Sequence, residues 1–173
     1  MNLYFIRHTS VNVPQGMCYG QTDVTLNDTF EEEAQRVKEQ LSNIPLDKVY
    51  SSPLTRCKRL ANFCITDLPI AYDDRIKELN FGDWEMKQWG DIDYQVWEDG
   101  WIDAIIPNGE SFQIMFHRVS EFIEELRLQK YEHVAIFTHG GVCSCSNVYF
   151  NILPIDKAFE LKVNYGSITC HTL

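Results

Sequence analysis

The sequence predicts a three-layer α/β/α fold around a mostly parallel mixed sheet. Short apolar runs, typical of buried strands, alternate with segments whose apolar residues recur every three or four positions, as in an amphipathic helix. Two of the apolar runs end in a histidine, at His8 and at His139. Alternating strands and helices favour a parallel sheet, whose ligands bind at the carboxyl ends of the strands.

Three strands and two helices are predicted before residue 73. The apolar repeat from Phe30 to Leu41 has steps of four, three and four, so one face of this helix is apolar. A side-chain cap at Asp28 or Thr29 is expected to start it. The second helix is expected to carry Pro53 in its first turn. The three strands are Asn2–Ile6, Lys48–Ser51 and Ile70–Tyr72.

The second half begins with a less regular region at about 73–108, which holds all four tryptophans and is predicted as a helical insertion over one edge of the domain. A long helix capped by Ser111 should follow, because apolar residues from Phe112 to Leu126 step by four and three. A further helix is expected to end near Phe150. The predicted strands here are Val134–Thr138, Phe159–Val163 and Ser167–Thr172.

Composition and charge limit the classes of function. The 173 residues suit a single domain over residues 1–173 that includes the insertion. The net charge of −10 argues against a nucleic acid partner, since that affinity comes mainly from lysine and arginine. The first apolar run is too short for a signal peptide or a membrane span, and the six cysteines are expected to be reduced. We therefore expect a cytoplasmic protein without membrane attachment.

Four basic side chains are expected to meet at the carboxyl edge of the sheet. A lone histidine at a strand end is more often structural than catalytic, and Arg56 taken alone is more often a surface residue. Together, Arg7 and Arg56 could offer two forks to phosphate oxygens. His8 could then attack phosphorus while His139 donates to an equatorial oxygen. Glu78 is the best candidate for the acid that protonates the leaving oxygen, although it is one of many carboxylates.

At these positions the chain resembles the histidine phosphatase superfamily, whose fold is phosphoglycerate mutase-like. The likeness spans residues 1 to about 172 and includes the first-loop segment Tyr19–Asp23. Each motif alone is a weak signal, whereas four in the right order and spacing are a strong one. The four motifs are Phe5-Ile6-Arg7-His8, Ser51-Ser52-Pro53-Leu54-Thr55-Arg56, the run from Glu78 to Glu85, and Thr138-His139-Gly140-Gly141.

The resemblance implies hydrolysis of a small phosphomonoester through a phosphohistidine on His8, with inorganic phosphate as a product. It also implies that Glu78 is the proton donor. No metal or cofactor is expected, because the arginines and His139 supply the charge that the transferring phosphoryl group needs. The residues expected to hold the substrate are Arg7, Arg56, His139, Tyr19, Gln21 and Gly140.

Three residues depart from the superfamily pattern. Thr9 stands where glycine usually follows the histidine, and Ser10 replaces an acidic residue. Pro14 occupies the position of an asparagine six residues past the nucleophile. The polar contact to phosphate that the asparagine would make is therefore expected from Tyr19, from Gln21 or from a backbone amide.

Within the superfamily the chain is most similar to the alpha-ribazole phosphatases of cobalamin biosynthesis, through residues 18–23, 81–86 and 106–112. Alternatives are a broad-specificity phosphatase, a phosphoglycerate mutase-like enzyme, a phosphoprotein phosphatase and a non-catalytic phosphate-binding module. The chain is short for a mutase, and the insertion is not expected in a small phosphoprotein phosphatase. The final strand could be a sheet edge that pairs two copies as a homodimer.

Overall fold

A five-stranded mixed sheet is the frame of the computed structural model, which describes residues 1–93, 95–98 and 100–173. Its strands are β1 (Asn2–Arg7), β2 (Lys48–Ser51), β3 (Ile70–Tyr72), β4 (His133–Thr138) and β5 (Ile168–Thr172). They lie in the order β3-β2-β4-β1-β5, and among the described residues every strand pairing is parallel except that of β1 with β5. The predicted mostly parallel mixed sheet is confirmed.

Helices cover both faces of this sheet. They are α1 (Phe30–Leu41), α2 (Thr55–Cys64), α3 (Gln95–Glu98), α4 (Phe112–Arg127) and α5 (Gly140–Tyr149). Because neighbouring strand residues point to opposite faces, Phe5 packs with the α4–α5 side and Ile6 with the α1–α2 side. In the described part of the chain, no helix is both long enough and apolar enough to cross a membrane.

The helix predictions are confirmed in their faces and corrected at two of their starts. The predicted apolar face of α1 is buried from Phe30 to Leu41. Thr29 occupies the position before α1, but in the described structure its hydroxyl donates to Glu33 instead of capping a backbone N–H. The start of α2 falls two residues after Pro53, because the backbone at Leu54 is extended.

The region at 73–108 is built mainly of single 3₁₀ turns, with α3 as the one α-helix in its described part. The turns are Asp74–Ile76, Gly82–Trp84 and Trp89–Asp91. The tryptophans pack in or against the apolar cluster beneath α4 and α5. The ring centroids of Trp84 and Trp97 lie 5.3 Å apart. Aromatic packing, rather than helical hydrogen bonding, therefore holds much of this region.

The predicted strand at Phe159–Val163 is wrong. These residues are all described, and they form a loop between the 3₁₀ turn Ile155–Lys157 and the turn at Tyr165-Gly166. Their alternating apolar pattern resembles that of a strand, but β5 already occupies the free edge of β1. The loop instead places Phe159 and Leu161 at the surface, where they are 51% and 49% exposed.

Ser111 caps α4 as predicted, since its hydroxyl accepts the Ile114 N–H at 3.2 Å. We expect Ser111→Ala to lower the free energy of unfolding by about 1 kcal/mol, measured by urea denaturation. Thr29→Ala is the matched control, because in the described structure Thr29 precedes a helix without accepting a backbone N–H. Equal losses in the two variants would contradict a capping role for Ser111.

Candidate active site

The parallel pairing of β1 with β4 brings the two predicted histidines together. Arg7 lies opposite Thr138 in this register, so His8 and His139 leave the sheet at the same level. The His8 N–H donates to the Thr138 carbonyl at 2.9 Å, and the two imidazole rings meet edge to face with their centroids 5.3 Å apart. Both side chains are buried. The predicted meeting of the two strand ends is therefore observed.

His8 is held in one tautomer. Its Nδ1 lies 2.7 Å from the Thr9 carbonyl oxygen, which can only accept a hydrogen bond, so Nδ1 carries the proton and Nε2 has a free lone pair. Burial and the nearby Arg56 cation lower the pKa of His8 well below its ordinary value, although the bond to Thr9 opposes them. Because Thr9 contributes its backbone carbonyl, the replacement of glycine at this position leaves the contact intact.

His139 has polar contacts on α2 and on the segment between β2 and α2. Its Nε2 lies 2.8 Å from the Ser52 hydroxyl and 3.4 Å from the Cys57 sulfur. Burial, followed by the Arg56 and His8 charges, lowers the pKa of His139 well below its ordinary value. Sequence reasoning treated Ser52 only as part of a helix start and missed this contact.

Arg56 is fully buried, which excludes the surface position expected for it alone. Its guanidinium donates to the carbonyls of Gly20 and Thr22, the second at 3.0 Å. Within the described residues it forms no ion pair with a carboxylate, and its Nε has no hydrogen-bond partner. A buried cation with a spare N–H is suited to bind an anion.

Arg7, which is partly buried, is likewise held by a backbone carbonyl. One of its terminal nitrogens donates to the Val163 carbonyl at 2.6 Å, and its guanidinium carbon lies 3.9 Å from the centroid of the Tyr165 ring. Its Nε is also buried and unpaired within the part of the chain that the structure describes. Carbonyl oxygens position both arginines but leave their charge available to a bound anion.

Glu78 lies beside this cluster on the loop before the 3₁₀ turn at Gly82. Its carboxylate accepts the Leu79 N–H and, at the start of α5, the Gly141 N–H, both at 3.1 Å. A Cβ at position 141 would lie 2.3 Å from a Glu78 oxygen, so a larger residue there would displace the Glu78 carboxylate. Arg7, Glu78 and Gly140 line one cavity of about 230 Å³. The fold therefore places a carboxyl group at the edge of the basic cluster.

The other predicted substrate residues lie around the arginines. The Tyr19 ring centroid is 5.6 Å from the Arg56 guanidinium carbon, and a Cβ at Gly140 would be 3.2 Å from the Arg7 Nε. The Gln21 amide donates to the Glu78 carbonyl at 3.0 Å, so this side chain supports the loop that carries Glu78.

Two of the departures from the superfamily pattern find a local explanation. Ser10 donates its N–H and its hydroxyl to the Glu33 carboxylate, at 2.8 and 2.5 Å. A polar residue there therefore joins the first loop to α1. Pro14 is exposed and has no side-chain donor, so any phosphate contact has to come from other residues.

Arg118 also positions Glu78 and was missed by sequence reasoning. It donates to the carbonyls of Lys77 and Glu78 at 2.7 and 3.0 Å and forms an ion pair with Glu110 at 2.6 Å. The sequence gives one signal for this role of Arg118: it is a charged residue next to Val119, which lies on the inner face of α4.

Glu85 fixes the first loop through hydrogen bonds to its backbone. Its carboxylate accepts the backbone N–H groups of Gly20, Gln21 and Thr22 at 2.9, 2.8 and 3.2 Å. Because the carbonyls of Gly20 and Thr22 hold Arg56, Glu85 acts on the position of that guanidinium through the backbone. A Cβ at Gly20 would lie 1.9 Å from the Leu79 carbonyl oxygen, so this close approach also requires glycine.

Tyr165 makes a further contact that the sequence did not reveal. Its ring centroid lies 5.5 Å from that of His8, and its hydroxyl is 2.7 Å from the Tyr19 hydroxyl. The Tyr165 ring packs on His8, which is only 2% exposed, and Tyr19 contacts the outer end of Tyr165.

No group of three or more histidine, cysteine or acidic side chains arranged for a metal ion occurs among the described residues. The expected independence from metals and cofactors stays a prediction.

Comparison with known proteins gives a consistent assignment. The sequence profile of the histidine phosphatase superfamily (branch 1) matches residues 3–173. The adenosylcobalamin/alpha-ribazole phosphatases of Escherichia coli K12 and Salmonella typhimurium are 31% and 29% identical, each over 96% of this chain and 87% of its own length. The crystal structure of the alpha-ribazole phosphatase from Shigella flexneri superposes with a TM-score of 0.88 at 30% identity, over 98% of this chain and 89% of that one.

The chain therefore belongs to the histidine phosphatase superfamily and is a phosphatase that acts on phosphate esters. The phosphoglycerate mutase-like α/β fold and the resemblance drawn from the motifs are both confirmed.

The Glu85 contacts predict a pH-dependent contribution to stability. Burial raises the pKa of the Glu85 carboxyl, but hydrogen bonds from residues 20–22 outweigh it and the pKa is lowered overall. A lowered pKa stabilises the fold above the unfolded value of about 4.3 and loses that effect as the pH falls through the folded value. We expect the loss of unfolding free energy in Glu85→Gln to be largest at neutral pH and to shrink below about pH 4.

Urea denaturation across this pH range measures the effect. Glu121→Gln, which changes an exposed carboxylate on α4, is the control and should show little dependence. A Glu85→Gln loss that stays constant with pH would show that the N–H groups do not favour the charged carboxylate.

Proposed function

We propose that this member of the histidine phosphatase superfamily hydrolyses alpha-ribazole 5′-phosphate to alpha-ribazole and inorganic phosphate in cobalamin biosynthesis. The observation that carries the catalytic part is that Arg56, which is buried, and Arg7, which is partly buried, each have a buried and unpaired Nε in the described structure, close to His8 with its free Nε2. The substrate is supported by the E. coli and Salmonella relatives, which are named as adenosylcobalamin/alpha-ribazole phosphatases.

In the first step, the phosphoryl group binds between Arg7 and Arg56. Their Nε–H groups and the Gly140 N–H at the start of α5 face its equatorial oxygens. His139 adds a hydrogen bond to the same oxygens. The His8 Nε2 lone pair forms a bond to phosphorus while the bond to the ester oxygen breaks. The Nδ1–H bond to the Thr9 carbonyl stabilises the positive charge that develops on the ring.

Glu78 moves the protons in both steps. It gives its proton to the departing alkoxide, and the product alcohol leaves. It then takes a proton from the water that attacks the phosphohistidine, so the phosphorus–nitrogen bond breaks and inorganic phosphate is released. Water is the final acceptor in this scheme, which separates it from the mutase alternative, in which the phosphoryl group returns to a sugar acid.

A cytoplasmic location stays a prediction. So does a homodimer formed through the edge strand β5.

The first assay measures phosphate release from alpha-ribazole 5′-phosphate, 3-phosphoglycerate and p-nitrophenyl phosphate in the presence of EDTA. We expect kcat/KM for the ribazole ester to exceed the other two by about tenfold or more. His8→Ala should reduce it by about a thousandfold or more, because it removes the nucleophile. His117→Ala, which removes an exposed imidazole on α4, is the matched control and should behave as the wild type.

The outcomes separate substrate from mechanism. Equal slow turnover of all three esters, lost in His8→Ala, would favour the broad-specificity alternative and contradict the ribazole assignment. Rapid exchange of phosphate between 2- and 3-phosphoglycerate would favour the mutase alternative. Full activity in His8→Ala would contradict the phosphohistidine mechanism.

The lowered pKa of His8 predicts that its imidazole stays neutral, and so nucleophilic, as the pH falls below the ordinary histidine value of about 6.5. NMR titration of histidine-labelled protein, with His8→Asn to assign the resonance, should show His8 still in its neutral form near about pH 6. Titration in urea provides the unfolded reference. A His8 midpoint equal to that reference would contradict the effect of burial and Arg56.

A further inference from the structure

The rings of Tyr165 and Tyr19 close one side of the site near His8. Tyr165 stacks on the Arg7 guanidinium at 3.9 Å and meets the Tyr19 hydroxyl at 2.7 Å, while Tyr19 lies over Arg56. Tyr165 also lies against the His8 ring. An alcohol attached to a phosphoryl group at His8 cannot extend through this pair of rings while they remain in contact.

Arg7 and Glu78, from the basic cluster and its edge, both line the cavity of about 230 Å³. In the proposed mechanism, the ester oxygen must face the Glu78 carboxyl to receive its proton. Whatever is bonded to that oxygen therefore lies in this cavity. Besides Arg7 and Glu78, its lining residues are Gly140, Gly141, Ser144, Phe159, Leu161, Lys162 and Val163.

Two apolar side chains, Phe159 and Leu161, line one part of the cavity and are already in place. Phe159 and Leu161 are about half exposed, which leaves apolar surface for a ligand. The Phe159 ring is held from behind, with its centroid 5.2 Å from that of Trp101 and 5.1 Å from that of Phe112. Gly140 and Gly141, at the start of α5, add no side chain to the base of the cavity. A flat ring fits between these apolar side chains and that base, and its burial would remove the exposed apolar surface from water.

We propose that residues Phe159–Val163 form the leaving-group subsite, and that this subsite selects phosphomonoesters whose alcohol carries a planar apolar ring. The inference rests on the proposed function, since it uses the direction that Glu78 gives to the ester oxygen. It assigns a role in binding to the segment whose pattern had predicted a strand.

Two esters test this subsite: 2-phenylethyl phosphate and ethyl phosphate. Their alcohols differ little in acidity, so a difference in kcat/KM reports contact with the ring rather than the quality of the leaving group. We expect the wild type to prefer the phenylethyl ester. Leu161→Ala should reduce the ratio of the two kcat/KM values by about fivefold, on the scale of the methylene contacts removed.

Leu128→Ala is the matched control, because Leu128 is an 81% exposed leucine at the end of α4 and does not line the cavity. It should leave the ratio unchanged. Phe159→Leu, which keeps an apolar side chain against Trp101, should lower the ratio as well.

An equal kcat/KM for the two esters in the wild type would overturn the subsite, and so would a ratio that Leu161→Ala and Phe159→Leu leave intact. In either case phosphate release that depends on His8 would still support the proposed mechanism. If neither ester gives release that depends on His8 while alpha-ribazole 5′-phosphate does, the subsite is overturned and the proposed function stands; if alpha-ribazole 5′-phosphate fails as well, the proposed function fails and the subsite fails with it.

Discussion

The site depends above all on the parallel register between β1 and β4. Pairing of Arg7 with Thr138 makes both strands end at the same level, so His8 and His139 meet although 131 positions separate them in the chain. The alternating faces of the same strands fill both apolar clusters, with Phe5 on one side and Ile6 on the other. A register shift by one residue would turn core side chains toward the wrong apolar cluster and would also separate the histidines. Packing and chemistry are therefore fixed by one set of hydrogen bonds.

The second constraint is how the fold tolerates one buried and one partly buried guanidinium group, those of Arg56 and Arg7. Carbonyl oxygens, not carboxylates, contact Arg7 and Arg56 within the described residues, so the cations are oriented without being neutralised. The carboxylate of Glu85 acts on Arg56 through the backbone. It accepts hydrogen bonds from the N–H groups of the loop whose carbonyls contact that arginine. Its charge stabilises the loop and leaves the positive charge at the phosphoryl site in place. A carboxylate in direct contact would instead compete with an anionic substrate.

Much of the fold was predictable because its signals are local. The steps of three and four from Phe30 to Leu41 matched the buried face of α1, and the Ser111 cap was correct. The strand predicted at Phe159–Val163 failed because alternation shows only that side chains alternate, not that an edge is free for pairing. That edge of β1 belongs to β5, and the segment became a loop at the mouth of the site.

The sequence by itself determined the order of strands and helices and the motifs containing His8, Arg56 and His139, because periodicity and motif spacing are properties of neighbouring residues. Only the tertiary structure decided which groups support them. The contact of Glu85 with residues 20–22 joins segments more than 60 positions apart, and that of Tyr165 with Tyr19 joins segments 146 positions apart. Such hydrogen bonds leave no periodic trace in the sequence, since each depends on how the whole chain returns to one edge of the sheet.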